Sequence, residues 1–260
     1  MELLLGFVIA LAISLTGVGA GTMTTPLLIL LLGVPPAAAV GTALTFGAIV
    51  KVISVPAYIW RGQVSARVLG LMLAGGLPGV LGGSLLLGSL KGGTYSQWLY
   101  AGLGILIAST ACFHLYRMTA PKKTRGNKDH SRLLPWIALP IGAEVGFSSA
   151  GAGALGSLVL FGATRLSPAQ VVGTDLCFGL VVAAAGSAFH LTVGNYDSAL
   201  LFKLVAGGIV GALTGSLLAG RIAPLPLRVA VLIALVVLGT QLALHGQSAS
   251  PHVQVAFLGR

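Results

Sequence analysis

Charge is what this sequence has least of. Only 8% of its 260 residues are Asp, Glu, Lys or Arg, and just 5 are acidic. A water-soluble domain carries about a quarter charged residues, so the chain cannot wet the surface of a soluble fold of its size. Cysteine is nearly missing too: Cys112 and Cys177 both lie in apolar runs, which excludes a disulfide framework and any metal-ligand spacing. Aromatic residues are 7% and do not interleave the basic ones. A nucleic-acid partner is therefore excluded, although the net charge is +10. What is there is apolar: 56% hydrophobic residues, 38 glycines and a mean hydropathy of +0.98. Disordered, collagenous and disulfide-rich classes fall away. An all-α, polytopic helical membrane protein remains, with the lipid bilayer as its solvent. The apolar runs are continuous rather than alternating, which disfavours a β-barrel. Met1-Glu2-Leu3 lacks a basic n-region, and no A-x-A cleavage site follows, so the N-terminus reads as a membrane segment and not a removed signal.

Apolar runs cover roughly 3–32, 37–59, 68–88, 98–116, 134–164, 169–191, 199–219 and 227–245. Most have the ~20-residue length that crosses a ~30 Å hydrocarbon core. The first and fifth are too long for one ordinary span, and each has a glycine cluster near its middle. Arg117, Lys122, Lys123, Arg125, Lys128 and Arg132 crowd the segment between the fourth and fifth runs. The positive-inside rule makes that segment a cytoplasmic loop, and the protein a multi-pass component of the cell inner membrane.

Sliding the chain by 132 positions superposes it on itself without a gap. Gly19-Ala20-Gly21 falls on Gly151-Ala152-Gly153, Gly41-Thr42 on Gly173-Thr174 and Pro36-Ala37 on Pro168-Ala169. Ala74-Gly75-Gly76 falls on Ala206-Gly207-Gly208, and Gly83-Ser84-Leu85-Leu86 on Gly215-Ser216-Leu217-Leu218. Shared apolar composition produces chance Leu and Ala matches, but not this many Gly and Pro matches in one register. The chain reads as a first transmembrane repeat (1–116), a basic linker (117–133), a second repeat (134–246) and a tail (247–260).

Two topologies fit such a duplication. If residues 3–32 form one span, the halves are parallel. If they form a broken hairpin that enters and leaves on one side, each half has an odd number of crossings and the halves are inverted. The distribution of Lys and Arg obeys the positive-inside rule either way. Length favours the hairpin: thirty helical residues extend about 45 Å, well beyond the hydrocarbon core. Gly17, Gly19 and Gly21 lie where a break would put them, as do Gly146, Gly151 and Gly153 in the second half. The other use of membrane glycines is close helix packing, the expected role of Gly75, Gly79, Gly83 and their partners. Paired mid-run interruptions in two halves point to the central site of a transporter, so the expectation is an inverted repeat with broken, re-entrant-like helices.

A broken helix leaves free N–H groups at the start of its next segment, and these favour negative charge. Hydroxyls flank both breaks: Thr16, Thr22, Ser148 and Ser149. Thr42 and Thr174 open the following helices. Backbone amides near Gly19, Gly21, Gly151 and Gly153, with Thr42, Thr174, Ser148 and Ser149, make the candidate site for a small oxyanion; a membrane Ser or Thr otherwise bonds back to its own helix. Ionisable groups inside spans are costly. Glu144 and Asp175 are such groups, and their repeat partners are Ala12 and Ala43, so they are the candidates for proton coupling. Lys51 is placed to contact an anion or to snorkel towards the cytoplasmic end, the slightly favoured reading. His190, near the end of its run, is a further anion contact or an interfacial histidine, the latter favoured. No metal ligand set and no organic cofactor is indicated, and the oligomeric state stays open, a homodimer included.

Three pieces of sequence resemble the TauE/SafE family of membrane proteins, the sulfite exporters. The first is Gly17-Val18-Gly19-Ala20-Gly21 with Pro26-Leu27-Leu28 and Gly33-Val34-Pro35; the second is Ala39-Val40-Gly41-Thr42-Ala43-Leu44. The third is the echo Gly151-Ala152-Gly153, Leu166-Ser167-Pro168-Ala169-Gln170-Val171-Val172-Gly173-Thr174-Asp175-Leu176 and Gly194-Asn195-Tyr196-Asp197. The resemblance covers residues 3–245. It implies export of sulfite or a related sulfur-containing anion, such as thiosulfate or an organosulfonate. The sequence departs from the family at Ala43, where a Ser is common. Two other readings compete with a secondary transporter. One is an intramembrane hydrolase built on Ser148 and His190, although the repeat partner of Ser148 is Thr16 and no HExxH is present. The other is a passive anion channel, although no span carries a periodic polar face.

Overall fold

A computed structural model of the chain describes residues 1–16, 20–90, 96–119, 130–150, 153, 155–218 and 224–248. These form the helices α1 (Glu2–Thr16), α2 (Ala20–Leu32), α3 (Pro36–Trp60), α4 (Ala66–Ser89), α5 (Ser96–Thr119), α6 (Leu134–Ser148), α7 (Leu155–Ala163), α8 (Pro168–Thr192), α9 (Ser198–Leu218) and α10 (Pro224–Ser248). Five long stretches, in α3, α4, α5, α8 and α9, have the length and apolar composition to cross a membrane. The protein is an all-α polytopic membrane protein.

Local chemistry sets the helix starts. Pro36 and Pro168 occupy first helical positions, where the missing N–H has no intrahelical partner to lose. Ser167 and Gln170 form a reciprocal capping box: the Gln170 N–H donates to the Ser167 hydroxyl at 3.3 Å, and the Ser167 N–H donates to Gln170 Oε1 at 3.1 Å. The second over-long apolar run is interrupted between α6 and α7. The first comprises α1 and α2, with residues 17–19 between them outside the described residues. The second run doubles back. The His130 N–H, just before α6, bonds the carbonyl of Ala163 at the end of α7 at 3.0 Å, so residues 134–163 start and finish at the same end of the bundle.

The closest packing joins residues before the linker to residues after it. On α4, Gly75 lies against the Pro135 carbonyl, Gly79 against Leu139 and Gly83 against Ala143, all of α6. On α9, Gly207 lies against the Leu3 carbonyl, Gly211 against Phe7 and Gly215 against Leu11 and Ser14, all of α1. Numbering rises together along each pair, so the two helices of a pair run in one direction. A Cβ on these glycines would overlap the facing backbone, which is why small residues line such contacts. The two sets of contacts coincide under the 132-residue shift, as do two aromatic ones: Phe178 of α8 fills the space at Gly76, and Phe46 of α3 fills it at Gly208. Both rings are fully buried. α3 runs opposite to α8, with Gly41 beside Asn195 and Gly173 beside Gln63. α5 runs opposite to α10, with Gly104 beside Ala243 and Gly239 beside Ala108.

The glycine contacts make a direct prediction. Gly79→Val and Gly211→Val force a branched side chain into a facing backbone, an overpacking of the kind that costs about 1–3 kcal/mol. Each should lower the thermal midpoint of the detergent-solubilised protein by several degrees. Gly82→Val points into open space and should leave it unchanged. Equal midpoints for all three would dismiss the packing described.

Candidate functional site

The start of α2 meets the end of α6. α6 ends where Ser149 turns into the left-handed region at φ 59. Its N–H still bonds the Val145 carbonyl at 2.8 Å. The Ser148 hydroxyl donates to the Glu144 carbonyl at 3.0 Å and accepts the Ala150 N–H at 3.2 Å, closing the helix end inside the protein. Gly21, in the first turn of α2, lies directly on the Ser149 backbone, where no other residue would fit. One turn further along α2, Thr25 Oγ1 and Ser149 Oγ share a buried hydrogen bond of 2.7 Å. The start of α2 and the end of α6, from opposite sides of the linker, therefore touch through hydroxyls. Thr22 and Thr24 are buried beside Thr25 on α2.

A second polar group lies at the start of α7. Gly153 takes φ +102, a conformation that suits glycine. The Ser157 hydroxyl lies 3.0 Å from the Gly153 carbonyl and also makes a short bond with Asp175 Oδ2. The backbone amides of Gly153 and Ser157 face the same carboxylate. Asp175 Oδ1 is buried, rests over Gly156 and has no hydrogen-bond partner. Lys51 of α3 is 6% exposed. It acts on Asp175 electrostatically, yet the ion pair among the described residues is a different one, Lys203 with Glu2 at 2.6 Å. Lys51 thus sits inside the bundle and not at the membrane surface, against the snorkelling expectation.

The remaining candidates separate. Glu144 faces α5, with its carboxyl beside the Thr110 hydroxyl and Oε1 buried without a partner. Thr42 accepts the Asp197 N–H at 3.1 Å, and Thr174 accepts the Ser65 N–H at 3.0 Å. Gly41 and Gly173 admit the Asn195 and Gln63 carbonyls of the same two loops. Each Gly-Thr pair therefore clasps a connection from the other side of the linker: the glycine gives room and the hydroxyl receives an amide. His190 is fully buried and not interfacial. Its Nε2 lies 3.5 Å from the Gly146 carbonyl, and its Nδ1 lies 3.4 Å from the Asn195 amide nitrogen. Gly19 and Gly151 lie outside the described residues. The sequence reading did not single out Thr25 or Ser157. A signal was present, since they coincide under the 132-residue shift, each a hydroxyl shortly after a break.

Comparison with known proteins places this arrangement among transporters. The profile of the family described as Sulfite exporter TauE/SafE matches residues 2–242. A protein of Bacillus subtilis (strain 168) named "Probable membrane transporter protein YjnA" is 28% identical over 238 residues, covering 87% of this chain and 92% of its own. A "Probable membrane transporter protein" of Xylella fastidiosa (strain Temecula1) is 30% identical over 229 residues, 84% of this chain and 83% of its own. Its counterpart in strain 9a5c is 30% identical over 231 residues, with 83% of each chain covered. No solved structure matches the chain.

The contact between the breaks can be tested chemically. Thr25→Cys with Ser149→Cys, in a chain carrying Cys112→Ser and Cys177→Ala, should form a disulfide under mild oxidation, because the two hydroxyl oxygens are only 2.7 Å apart. A protease site inserted at 120–129 would then leave the two fragments joined on a non-reducing gel and separate on a reducing one. Fragments that separate without reductant would break the assignment.

Proposed function

The chain belongs to the TauE/SafE family, and from that premise we propose that it exports a small sulfur-containing anion (sulfite, thiosulfate or an organosulfonate) through the junction of its two helix breaks, coupled to protons. The observation that carries this reading is the Thr25–Ser149 hydrogen bond. It brings the start of one broken helix and the end of another together in the protein interior. Backbone interrupted inside an apolar slab is tolerated where protein or a wet cavity satisfies it, and paired interruptions are how transporters build their central sites. Hydroxyls of Thr25, Ser148 and Ser149, with amides at the start of α2 and α7, supply donors for an oxyanion without a full positive charge of their own. Among ionisable groups, Asp175 and Glu144 supply carboxyls for the coupled proton, and Lys51 a charge for the solute. Ser148 and His190, the pair a hydrolase would need, point to the Glu144 and Gly146 carbonyls.

The reading includes two inverted halves. Supporting it are the return of α7 to the level of His130, the opposed directions of α3 and α8, and the recurrence of the same contacts 132 residues apart. Arg61, Arg67, Arg117, Arg132 and Arg165 also fall towards one end of the bundle, where α3 finishes, α8 begins and Arg117 shares a groove with Ala163. Positive residues collect on the cytoplasmic side, which puts the C-terminus on the other.

Purified protein in liposomes preloaded with unlabelled sulfite, thiosulfate or methanesulfonate should accumulate the labelled form of at least one by counterflow. Saturable exchange of none of them would remove the proposal. A C-terminal alkaline phosphatase fusion should be active and a C-terminal green fluorescent protein fusion dark in a Gram-negative host. The reverse pattern would remove the inverted arrangement while leaving the transport reading standing.

A further inference from the structure

Polar groups in the second break are arranged around a mismatch in protons. The Ser157 hydroxyl has one proton and two oxygens to satisfy: the Gly153 carbonyl at 3.0 Å and Asp175 Oδ2. Both contacts become hydrogen bonds only when the carboxyl supplies a proton of its own, donating to Ser157 while Ser157 donates to Gly153. With the carboxyl ionised, Ser157 donates to Asp175 Oδ2, beside the amides that face the same carboxylate, and the Gly153 carbonyl is left without the hydroxyl proton. A second mismatch lies opposite. Lys51, 6% exposed, acts on the same carboxylate electrostatically without forming a contact ion pair with it. A buried carboxylate oxygen without a partner, such as Asp175 Oδ1, is costly. Asp175 Oδ1 rests over Gly156 at the start of α7, where the Gly153 and Ser157 amides face the same carboxylate.

Resting on the anion-transport reading above, we propose that Asp175 is a tethered stand-in for the transported anion. Ionised, its carboxylate occupies the amides at the start of α7 and the field of Lys51, and it keeps a free oxyanion out. Protonated, it keeps its contact with the Ser157 hydroxyl and gives up the amides and the field of Lys51. A solute oxyanion then takes its place between Lys51 and the α7 amides, so one proton enters the protein with each anion bound and leaves with it. Charge inside the bundle is the same with Asp175 ionised as with a singly charged anion bound, which avoids the desolvation cost of an extra buried charge. Net direction follows the combined solute and proton gradients.

Few other titratable groups face this carboxyl. α3 brings Lys51 and Tyr58, whose ring lies against Gly173. α4 brings only Arg67, exposed in its first turn. α6 brings Glu144, which is turned to Thr110. α7 brings none, and α8 itself carries Cys177 and His190, the latter held at Gly146 and Asn195. The first half cannot repeat the device: the positions matching Asp175 and Lys51 are Ala43 and Ala183. Its hydroxyl at the Ser157 position, Thr25, bonds Ser149 instead.

The decisive measurement is proton uptake on binding. Thiosulfate and methanesulfonate do not themselves titrate near neutrality. Added to the wild-type protein in lightly buffered detergent, the one that shows counterflow should draw about one proton from solution per anion bound, and its affinity should fall as pH rises. Asp175→Asn, fixed in the neutral form, should bind with a flat pH profile, exchange at alkaline pH as the wild type does at acid pH, and take up no proton. Lys51→Met placed on Asp175→Asn removes both charges together. It should weaken binding about ten- to hundredfold, the loss expected for one charge-assisted contact. Wild-type exchange with no proton uptake, or an Asp175→Asn protein that keeps the wild-type pH dependence, would overturn the stand-in and leave transport intact. Absence of wild-type exchange with every anion tested would overturn the transport reading beneath it.

Discussion

A helix interrupted inside an apolar slab has nowhere to send its freed amides and carbonyls except to other parts of the same protein, because water is not on offer. The architecture follows from answering that demand twice. Ser148 closes the end of α6 with its own hydroxyl, and Ser149 with a left-handed turn. Gly21 lets the start of α2 come close enough for Thr25 to reach Ser149. The start of α7 is answered by a carboxylate. The long helices hold these ends at the correct depth.

That holding is done across the linker, not within each half. Glycines on α4 receive α6 and glycines on α9 receive α1, while each Gly-Thr pair clasps the other half's connecting loop. The scaffold is therefore nearly symmetric while the chemistry is not. Matching positions carry Asp175 and Ala43, Lys51 and Ala183, Ser157 and Thr25. Such a frame can keep its contacts intact while one position changes character, since the packing depends on the glycines and not on the ionisable groups.

Much of this was legible before any coordinates. Continuous apolar runs of span length announce helices that bury all round, and two runs too long for one crossing announce their own interruption. The glycine stripes were readable as close packing because a lack of side chain has few other uses in a span. The Gly-Thr pairs were not readable in the same way. Their partners, Asn195 and Asp197 for one and Gln63 and Ser65 for the other, are remote in sequence and act through backbone atoms, which leave no mark on residue choice. Lys51 and His190 went astray for a related reason. A lysine or histidine towards one end of an apolar run ordinarily reaches water, but here packing across the linker covers both. Thr25 passed unnoticed because a threonine in a span normally bonds back to its own helix.

The pairing of α1 with α9 has a bearing on how the chain is made. Gly207 rests on Leu3 and Gly211 on Phe7, so α1 finds its neighbour only after some two hundred further residues are synthesised. At about 5–20 residues per second that is a wait of roughly ten to forty seconds, during which the glycine-facing side of α1 has no α9 to cover it. A contact between segments so far apart in sequence forms late, after the chain between them has been made.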